Sequence, residues 1–358
     1  MLNLIAFMIR YKCRRWDYLT IFLRLLKKVS KMDFSVILLF SIFIIVIGTF
    51  GIHYFEPNTF PTVFESFWWT MTTLTTVGYG DYSPITVPGR LLGIFLFIFG
   101  IGIIGLLISN VVDSLTTYNQ LKREGKVVFK GKNHIIYIGW SQKTERAIQE
   151  VFAHLPEMTV VLIDSLKENP FNHDQIHYIQ GDASDEEVLL KANILEAKRV
   201  AIFADEAITQ SILADGKTLL IASAVESLSH QHNKDIHTIV EICEDKNIPK
   251  FHHIHVDDFI LSNDSISMLM AKSTLHPGTT SIFRQLLSKR FGNNIHELLP
   301  KAEWKTYKEA SENLLAYGAV LIAVNDEMDF TNAHQKPLKS DDLLYIVCHD
   351  HVYEKIKS

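Results

Sequence analysis

Cysteine is scarce in this chain of 358 residues, and charge is absent from two long stretches of it. Cys13, Cys243 and Cys348 lie far apart and form no CxxC pair, which excludes a disulfide framework and a cysteine-based zinc site. Residues 34–54 contain no Asp, Glu, Lys or Arg, and neither do residues 91–112. At about 1.5 Å per residue, each stretch forms a helix about 30 Å long, which matches the hydrocarbon core of a bilayer. We therefore predict two membrane-spanning helices.

Charges of opposite sign are concentrated at the two ends of the chain. Residues 1–33 carry eight basic and two acidic side chains, whereas residues 113–358 hold most of the acids of a chain whose net charge is −5. The positive-inside rule places the basic head in the cytoplasm, and two spans return the chain to that side. We therefore predict a multi-pass protein of the cell membrane with both termini cytoplasmic. The acidic body excludes a nucleic-acid partner, because it would not displace cations from phosphate groups.

The basic head, residues 1–33, has apolar residues at helical spacing between its basic ones. This pattern predicts a helix that lies in the membrane interface, with the lipid bilayer as its partner. A solvated basic arm in the cytoplasm is the alternative.

A glycine-containing motif stands between the two spans. Residues 64–75 suit a short helix, which is followed directly by Thr75, Thr76, Val77, Gly78, Tyr79, Gly80 and Asp81. The glycines allow left-handed dihedral angles, so successive carbonyl groups can turn towards one line. Four copies around an axis would stack rings of carbonyl oxygens, and such rings replace the hydration shell of a potassium ion. The oxygens would come from the backbone of Thr76, Val77, Gly78 and Tyr79 and from the Thr76 hydroxyl.

The run TTVGYGD resembles the selectivity-filter motif of potassium channels. Because each chain has one pore loop, the resemblance implies a homotetramer with residues 34–112 as a two-span pore module. It implies that Trp69 hydrogen-bonds Asp81 behind the filter and that Thr75 supports the filter as well. Thr72 stands four residues before the motif's second threonine, where some potassium channels carry a carboxylate, so a carboxylate pair behind this filter is not implied.

Gly100 lies in the second span, among several other glycines. Its distance from the filter resembles that of the hinge glycine in the inner helix of ligand-gated channels. Close packing of membrane helices is the alternative explanation for small residues at such positions. No segment of the chain has an arginine at every third position, which excludes a conventional voltage sensor.

From residue 134 the hydrophobic pattern changes to short apolar strands that alternate with helical segments. We predict six strands, at residues 134–139, 159–164, 176–179, 199–203, 237–243 and 258–261. Continuous apolar strands that alternate with helices form a parallel sheet covered on both faces, and we expect the doubly wound, Rossmann-like order 3-2-1-4-5-6. A polar linker, residues 113–133, is short enough to transmit strain between the sheet domain and the pore.

The sheet domain also carries a family resemblance. Gly181-Asp182-Ala183-Ser184 and the following Leu189, Leu190, Ala192, Asn193 and Ile194 resemble the regulatory RCK (TrkA-N) domain of two-span potassium channels. The resemblance assigns residues 134–275 to this domain. It assigns residues 282–358 to a small α+β TrkA-C-like subdomain with strands at 319–324 and 343–347. The whole chain is similar to the archaeal calcium-gated channels and their bacterial relatives, which implies gating by a ligand of the RCK domains and an octameric ring if additional RCK domains join.

The regulatory ligand stays open between a nucleotide, a dinucleotide or another small cytosolic ligand, a divalent cation such as calcium, another cation, protons, and no ligand at all. The G-x-G-x-x-G window keeps only its first glycine, Gly139, but Ser141 and Lys143 are placed to meet a phosphate at a helix N-terminus. Asp164 follows a strand at the distance of a ribose-binding acid, and Asp182 follows the next strand. The cation candidates are Asp205 and Glu241, although Cys243 stands where the calcium-gated relatives have a second glutamate, and a thiol does not suit calcium.

Two other functions, an enzymatic one and a regulatory one, would account for part of this sequence. A membrane-anchored nicotinamide-dependent oxidoreductase would use the Rossmann-like domain, but the sequence has no catalytic set near the nucleotide window, and we predict that the chain is not an enzyme. A regulatory subunit of a potassium transporter would not need a filter of its own. A potassium-selective, ligand-gated channel accounts for both halves of the chain.

Overall fold

The computed structural model of the protein describes residues 34–325, 327–328 and 336–357. The predicted interfacial head, residues 1–33, lies outside the described residues. The chain divides into two compact units, residues 1–120 and residues 121–358.

The first unit is helical. Its elements are α1 (Phe34–Phe55), α2 (Val63–Leu74), α3 (Val87–Phe95), a π-helical segment (Leu96–Gly100) and the start of α4 (Ile101–Arg123). Helix α1 and the continuous run from α3 to α4 are long and apolar enough to cross a membrane. The two predicted spans and the short helix between them are therefore confirmed as helices.

The second span continues beyond its predicted end at residue 112, so much of the predicted linker is helical. Residues 113–123 are polar, but they contain neither proline nor glycine, and nothing in them stops a helix. The helix ends where Gly125 takes a φ of +67°. Loss of hydrophobicity marks the end of the membrane-spanning part, not the end of the helix.

Polar side chains fix where the helices of the first unit begin. Thr62 and Glu65 form a capping box at the start of α2. Thr86 caps α3, and the carboxylate of Glu56 accepts hydrogen bonds from the backbone N–H groups of Ile85 and Thr86 at 3.0 and 2.7 Å. Glu56 is only 3% exposed, and these bonds satisfy its buried charge while they hold the end of α1 to the start of the second span.

The second unit contains a six-stranded parallel sheet with the order β3-β2-β1-β4-β5-β6. Its strands are β1 (His134–Ile138), β2 (Val160–Asp164), β3 (Ile176–Gln180), β4 (Ala197–Ile202), β5 (His237–Ile242) and β6 (Asp258–Leu261). The helices between them are α5 (Gln142–His154), α6 (Glu186–Lys191), α7 (Ser211–Gln231) and the short α8 (Ile248–Phe251). The buried strand residues separate into two hydrophobic clusters, as expected for a sheet covered on both faces. The predicted Rossmann-like order is confirmed.

Helices α9 (Ser262–Leu275) and α10 (Thr279–Leu287) lead to a smaller α+β subdomain. It contains β7 (Asn293–Leu298), α11 (Tyr307–Ala316), β8 (Val320–Val324), β9 (Leu344–His349) and α12 (Asp350–Lys357), and its antiparallel sheet has the order β7-β9-β8. Strand β7 was not predicted, because its sequence NNIHEL has no apolar run and buries mainly its second and last residues.

Candidate functional site

The loop after α2 has a backbone of alternating handedness. Thr76, Gly78 and Gly80 have φ angles of +59°, +52° and +76°, whereas Val77 and Tyr79 between them do not have positive φ. The two glycines were expected to adopt this conformation, but Thr76 was not. A β-branched residue with positive φ is strained, and such strain is concentrated at functional sites. Such an alternation allows consecutive carbonyl groups to turn towards one side, as stacked rings of ion-binding oxygens require.

The last turns of α2 hold the start of this loop. The backbone N–H groups of Val77 and Gly78 both donate to the carbonyl oxygen of Thr72, at 2.9 and 3.1 Å. The Thr75 hydroxyl donates to the Met71 carbonyl at 2.7 Å. The strained backbone is therefore anchored to the helix from which it emerges.

The tryptophan that bonds to Asp81 is Trp68, and the predicted assignment to Trp69 is wrong. Trp68 Nε1 donates to Asp81 Oδ2 at 2.8 Å, and its ring stacks on Tyr79 with 5.7 Å between centroids. Trp69 is 6% exposed and packs against Phe60 at 5.4 Å. Neighbouring residues of a helix point about 100° apart, so the two adjacent tryptophans make different contacts.

A second bond holds the chain just beyond the filter, and sequence reasoning missed it. The Tyr82 hydroxyl donates to Glu65 Oε1 at 2.9 Å. The other carboxylate oxygen of Glu65 accepts the Thr62 backbone N–H at 3.0 Å, as part of the capping box of α2. The two ends of the filter are therefore tied to the two ends of the same helix.

Gly100 ends the π-helical segment of the second span. A Cβ atom at this position would overlap Cδ2 of Leu74, the last residue of α2, whereas one at Gly102 or Gly105 would meet nothing within 4 Å. Close packing at Gly100 is therefore present in the structure. Single π-helical turns occur often at functional sites. The proposed role of Gly100 as a gating hinge stays a prediction.

The second unit has a cleft of about 420 Å³ at the carboxyl ends of its central strands. Four of the predicted ligand residues line it, namely Gly139, Asp164, Asp182 and Asp205. It is also lined by residues that were not predicted, among them Trp140, Glu206, Lys217 and Thr218. In parallel sheets, ligands bind at this edge.

Backbone groups already hold two carboxylates of the cleft. Asp164 accepts the backbone N–H groups of Trp140 and Leu166 at 2.7 and 3.0 Å. Asp182 accepts the backbone N–H and the hydroxyl of Ser184, both at 2.9 Å, and these bonds lower the pKa of the Asp182 carboxyl. Both carboxylates that line the cleft are therefore held in fixed positions by these bonds.

Ser141 and Lys143 do not line the cleft, although both were predicted to meet a phosphate. The Ser141 hydroxyl caps α5 and accepts the backbone N–H groups of Lys143 and Thr144. Lys143 Nζ lies 2.6 Å from Glu241 Oε1 and 3.4 Å from Glu206 Oε1. Burial alone would lower the pKa of the Lys143 ammonium, but the bonds to the two glutamates outweigh burial and raise that pKa.

Asp205 and Glu241, the predicted cation ligands, each have a lysine partner of their own. Glu241 is 5% exposed, and besides Lys143 it accepts the Ala204 backbone N–H at 3.0 Å. Asp205 pairs with Lys217 at 2.7 Å, and this bond lowers the pKa of the Asp205 carboxyl. Within the described residues, no three His, Cys, Asp or Glu side chains are grouped to hold a metal ion.

Comparison with known proteins relates the two units to two families. The ion channel family matches residues 34–117, and the TrkA-N domain family matches residues 135–262. YugO, a candidate potassium channel protein of Bacillus subtilis, is 36% identical over 61% of this chain and 65% of its own length. The calcium-gated potassium channel TvoK of Thermoplasma volcanium is 28% identical over 84% of this chain and 87% of its own length.

Among solved structures, the GsuK channel bound to NAD is similar to this chain with 16% identity and a TM-score of 0.44. The similarity covers 88% of this chain and 57% of the GsuK chain. The chain therefore spans less than two thirds of the length of YugO and of the GsuK chain.

Proposed function

We propose that the chain is a subunit of a potassium channel and that four copies form a potassium-selective pore. Its ion-channel domain precedes a TrkA-N domain, and its relatives YugO and TvoK are named as potassium channels. The observation that carries the proposal is the alternation of left-handed residues at Thr76, Gly78 and Gly80. Potassium ions would bind the carbonyl oxygens of residues 76–79. Those oxygens would replace the water molecules of the ion's hydration shell.

The fourfold assembly rests on what one copy leaves uncovered. Val77 and Tyr79 of the filter are 54% and 68% exposed in a single chain. Backbone of this kind is tolerated at membrane depth only where it is held by protein and lines a water-filled path. Three further copies would cover these side chains and complete the rings, whereas a single pore loop cannot surround an ion. The relatives are named as potassium channels, which favours a transport function over an enzymatic one.

Ion flux into liposomes tests the proposal. The reconstituted chain should pass potassium in large excess over sodium. Gly78→Ala should abolish the preference, because alanine at a φ of +52° costs about 1–2 kcal/mol in each copy and turns the carbonyl away. Gly102→Ala is the matched control, since that glycine has no neighbour within 4 Å of an added Cβ and lies outside the filter. Equal permeability to sodium and potassium in the parent chain would contradict the proposal.

We further propose that the ligand of the cytoplasmic unit is a nucleotide or dinucleotide and not a divalent cation. Asp164 is fixed at the end of β2, where its carboxylate can accept ribose hydroxyls. Lys217 lines the same cleft and can meet a phosphate when it leaves Asp205. A cation would have to displace lysines from both Asp205 and Glu241, which adds to its cost of binding.

Titration calorimetry on the full chain tests this choice with ADP, NAD and calcium as probes. We expect heat from a nucleotide and none from calcium, and we expect Asp164→Asn to remove the nucleotide signal. Asp174→Asn, outside the cleft, is the control. Binding of calcium that Glu241→Gln abolishes would overturn the nucleotide proposal. Mass measurement of the assembly in nanodiscs would count four chains, and additional TrkA-N units in an octameric ring would appear as extra mass.

A further inference from the structure

The start of α5 lies where a complete dinucleotide window would place a pyrophosphate. In the G-x-G-x-x-G pattern, the second glycine lets the backbone approach the pyrophosphate, and the third lets the helix pack closely on the strand. This chain has Ser141 and Thr144 at those two positions. Gly139 at the first position keeps a φ of +91°, so the turn after β1 is retained while the phosphate-binding part of the window is changed.

The Ser141 hydroxyl accepts N–H groups that a pyrophosphate would otherwise accept at the start of this helix. It accepts from the backbone N–H groups of Lys143 and Thr144 at 3.1 and 3.4 Å. The Thr144 side chain is fully buried, and its hydroxyl donates to the Gly139 carbonyl at 2.7 Å. The lining of the cleft includes Trp140 but not residues 141–144. The N-terminus of α5 is therefore bonded within the chain and set apart from the cleft.

Among the described residues, the charged side chains that line the cleft are four carboxylates and one ammonium group. They belong to Asp164, Asp182, Asp205, Glu206 and Lys217. Lys217 pairs with Asp205 at 2.7 Å, and Glu206 faces Lys143, outside the lining, at 3.4 Å. Because like charges brought close together weaken binding, every phosphate group beyond the first meets carboxylates without a further cation of the lining.

Lys217 supplies the cleft with a partner for one phosphate group. Its side chain is 44% exposed, so the ammonium group can turn from Asp205 to a ligand. A lysine binds a phosphate as a single point charge. Asp164, at the end of β2, is the partner for ribose hydroxyls. The cleft thus offers one partner to the sugar and one to a single phosphate group.

We propose that the cleft selects a nucleoside monophosphate over nucleoside diphosphates and dinucleotides. This inference rests on the proposed nucleotide function and narrows it. Asp164 accepts the ribose hydroxyls, Lys217 holds the single phosphate group, and Ser141 closes the N-terminus of α5 to a second one. Ser141 therefore determines specificity without contact to the ligand.

Titration calorimetry on the full chain in detergent tests the selection, with AMP, GMP, ADP, GDP and NAD as probes. At least one monophosphate should bind about tenfold more tightly than its own diphosphate and than NAD. Lys217→Met should lower the affinity for that monophosphate to the affinity for its nucleoside, because the phosphate loses its cation. Lys198→Met, at an exposed position at the start of β4, should behave as the parent chain.

Ser141→Gly restores the second glycine of the window and frees the two N–H groups. Glycine at an N-cap costs a helix little stability compared with serine, so this variant should fold. Its affinity for ADP and NAD should rise about fivefold relative to the monophosphate, which corresponds to about 1 kcal/mol. Ser141→Ala frees the N–H groups but keeps the Cβ atom, and it should give a smaller rise. Thr306→Gly, which removes the cap of α11, is the control and should leave the ratio unchanged.

The outcomes separate this inference from the nucleotide proposal. If a diphosphate or NAD binds the parent chain as tightly as the monophosphates, the selection is wrong and the nucleotide proposal stands. If Ser141→Gly folds with an unchanged ratio of affinities, the role of Ser141 is wrong. If none of the five probes binds, the nucleotide proposal fails and this inference fails with it.

Discussion

The contacts that hold the filter join residues close together in the sequence, whereas those beside the cleft join residues far apart in it. Every bond that holds the filter comes from a residue fewer than twenty positions away, as with Trp68 and Asp81 or Glu65 and Tyr82. The ion pair beside the cleft joins Lys143 on α5 to Glu241 on β5, 98 residues later. A filter of this kind can be recognised from one short run of sequence, whereas the cleft exists only after four strands have aligned.

The largest expected effect lies where the filter helix meets the second span. Gly100→Ala should destabilise the assembly by about 3 kcal/mol, because the added methyl overlaps Leu74. The yield of assembled protein in gel filtration measures this. Gly100→Ala combined with Leu74→Ala should assemble again, with Leu74→Ala alone as the control. A low open probability in the reassembled double variant would support the hinge, and a normal one would leave only packing.

The next prediction tests an ion pair between two residues that are far apart in the sequence. Lys143→Met should lower the free energy of unfolding of the second unit by about 2 kcal/mol, since it leaves the buried Glu241 carboxylate without its ammonium partner. Adding Glu241→Gln should recover part of the loss. Lys167→Met, at an exposed position, is the control. Additive losses in the double variant would show that the pair is not coupled.

A smaller effect compares the two adjacent tryptophans. Trp68→Phe should lower filter stability by about 1.5 kcal/mol, because the Asp81 carboxyl group loses the hydrogen bond that the Trp68 indole N–H donates. We expect the potassium current of this variant to decay faster than that of the parent chain while the activating conditions are held constant. Trp69→Phe keeps an aromatic ring against Phe60 and should affect assembly more than current decay. The reverse pattern would restore the assignment of Trp69 as the filter support.

The smallest effect concerns the hydrogen bond from Tyr82 to Glu65, which we call the outer bond because it lies just beyond the filter. Tyr82→Phe removes only the hydroxyl that donates to Glu65, and the ring stays in place. Current decay should accelerate slightly, and less than in Trp68→Phe. An equal or larger effect would mean that the outer bond, and not the Trp68 bond, is the main support.

Residues that were predicted correctly and those that were missed differ in the physical signal they leave. The strand order follows from apolar runs and from their alternation with helical segments, and both patterns are present in the sequence itself. Thr76 gives no such signal, because threonine does not favour positive φ, and it adopts it here in a loop whose next two N–H groups bond to the Thr72 carbonyl. Strand β7 was missed for a similar reason, since four of its six positions are polar and its pairing with β9 decides its conformation.

The two spans, the filter motif, the parallel sheet and its strand order could be predicted from the residues alone, because hydrophobic runs, periodicity and glycine positions are local properties. Three features became visible only in the folded chain: which tryptophan bonds to Asp81, which lysine pairs with which carboxylate, and how residues 125–133 bond to the sheet domain. These contacts depend on the direction in which each side chain leaves its element and on which elements become neighbours. Charges that look free in the sequence are paired in the fold, because a buried carboxylate is stable only with a partner.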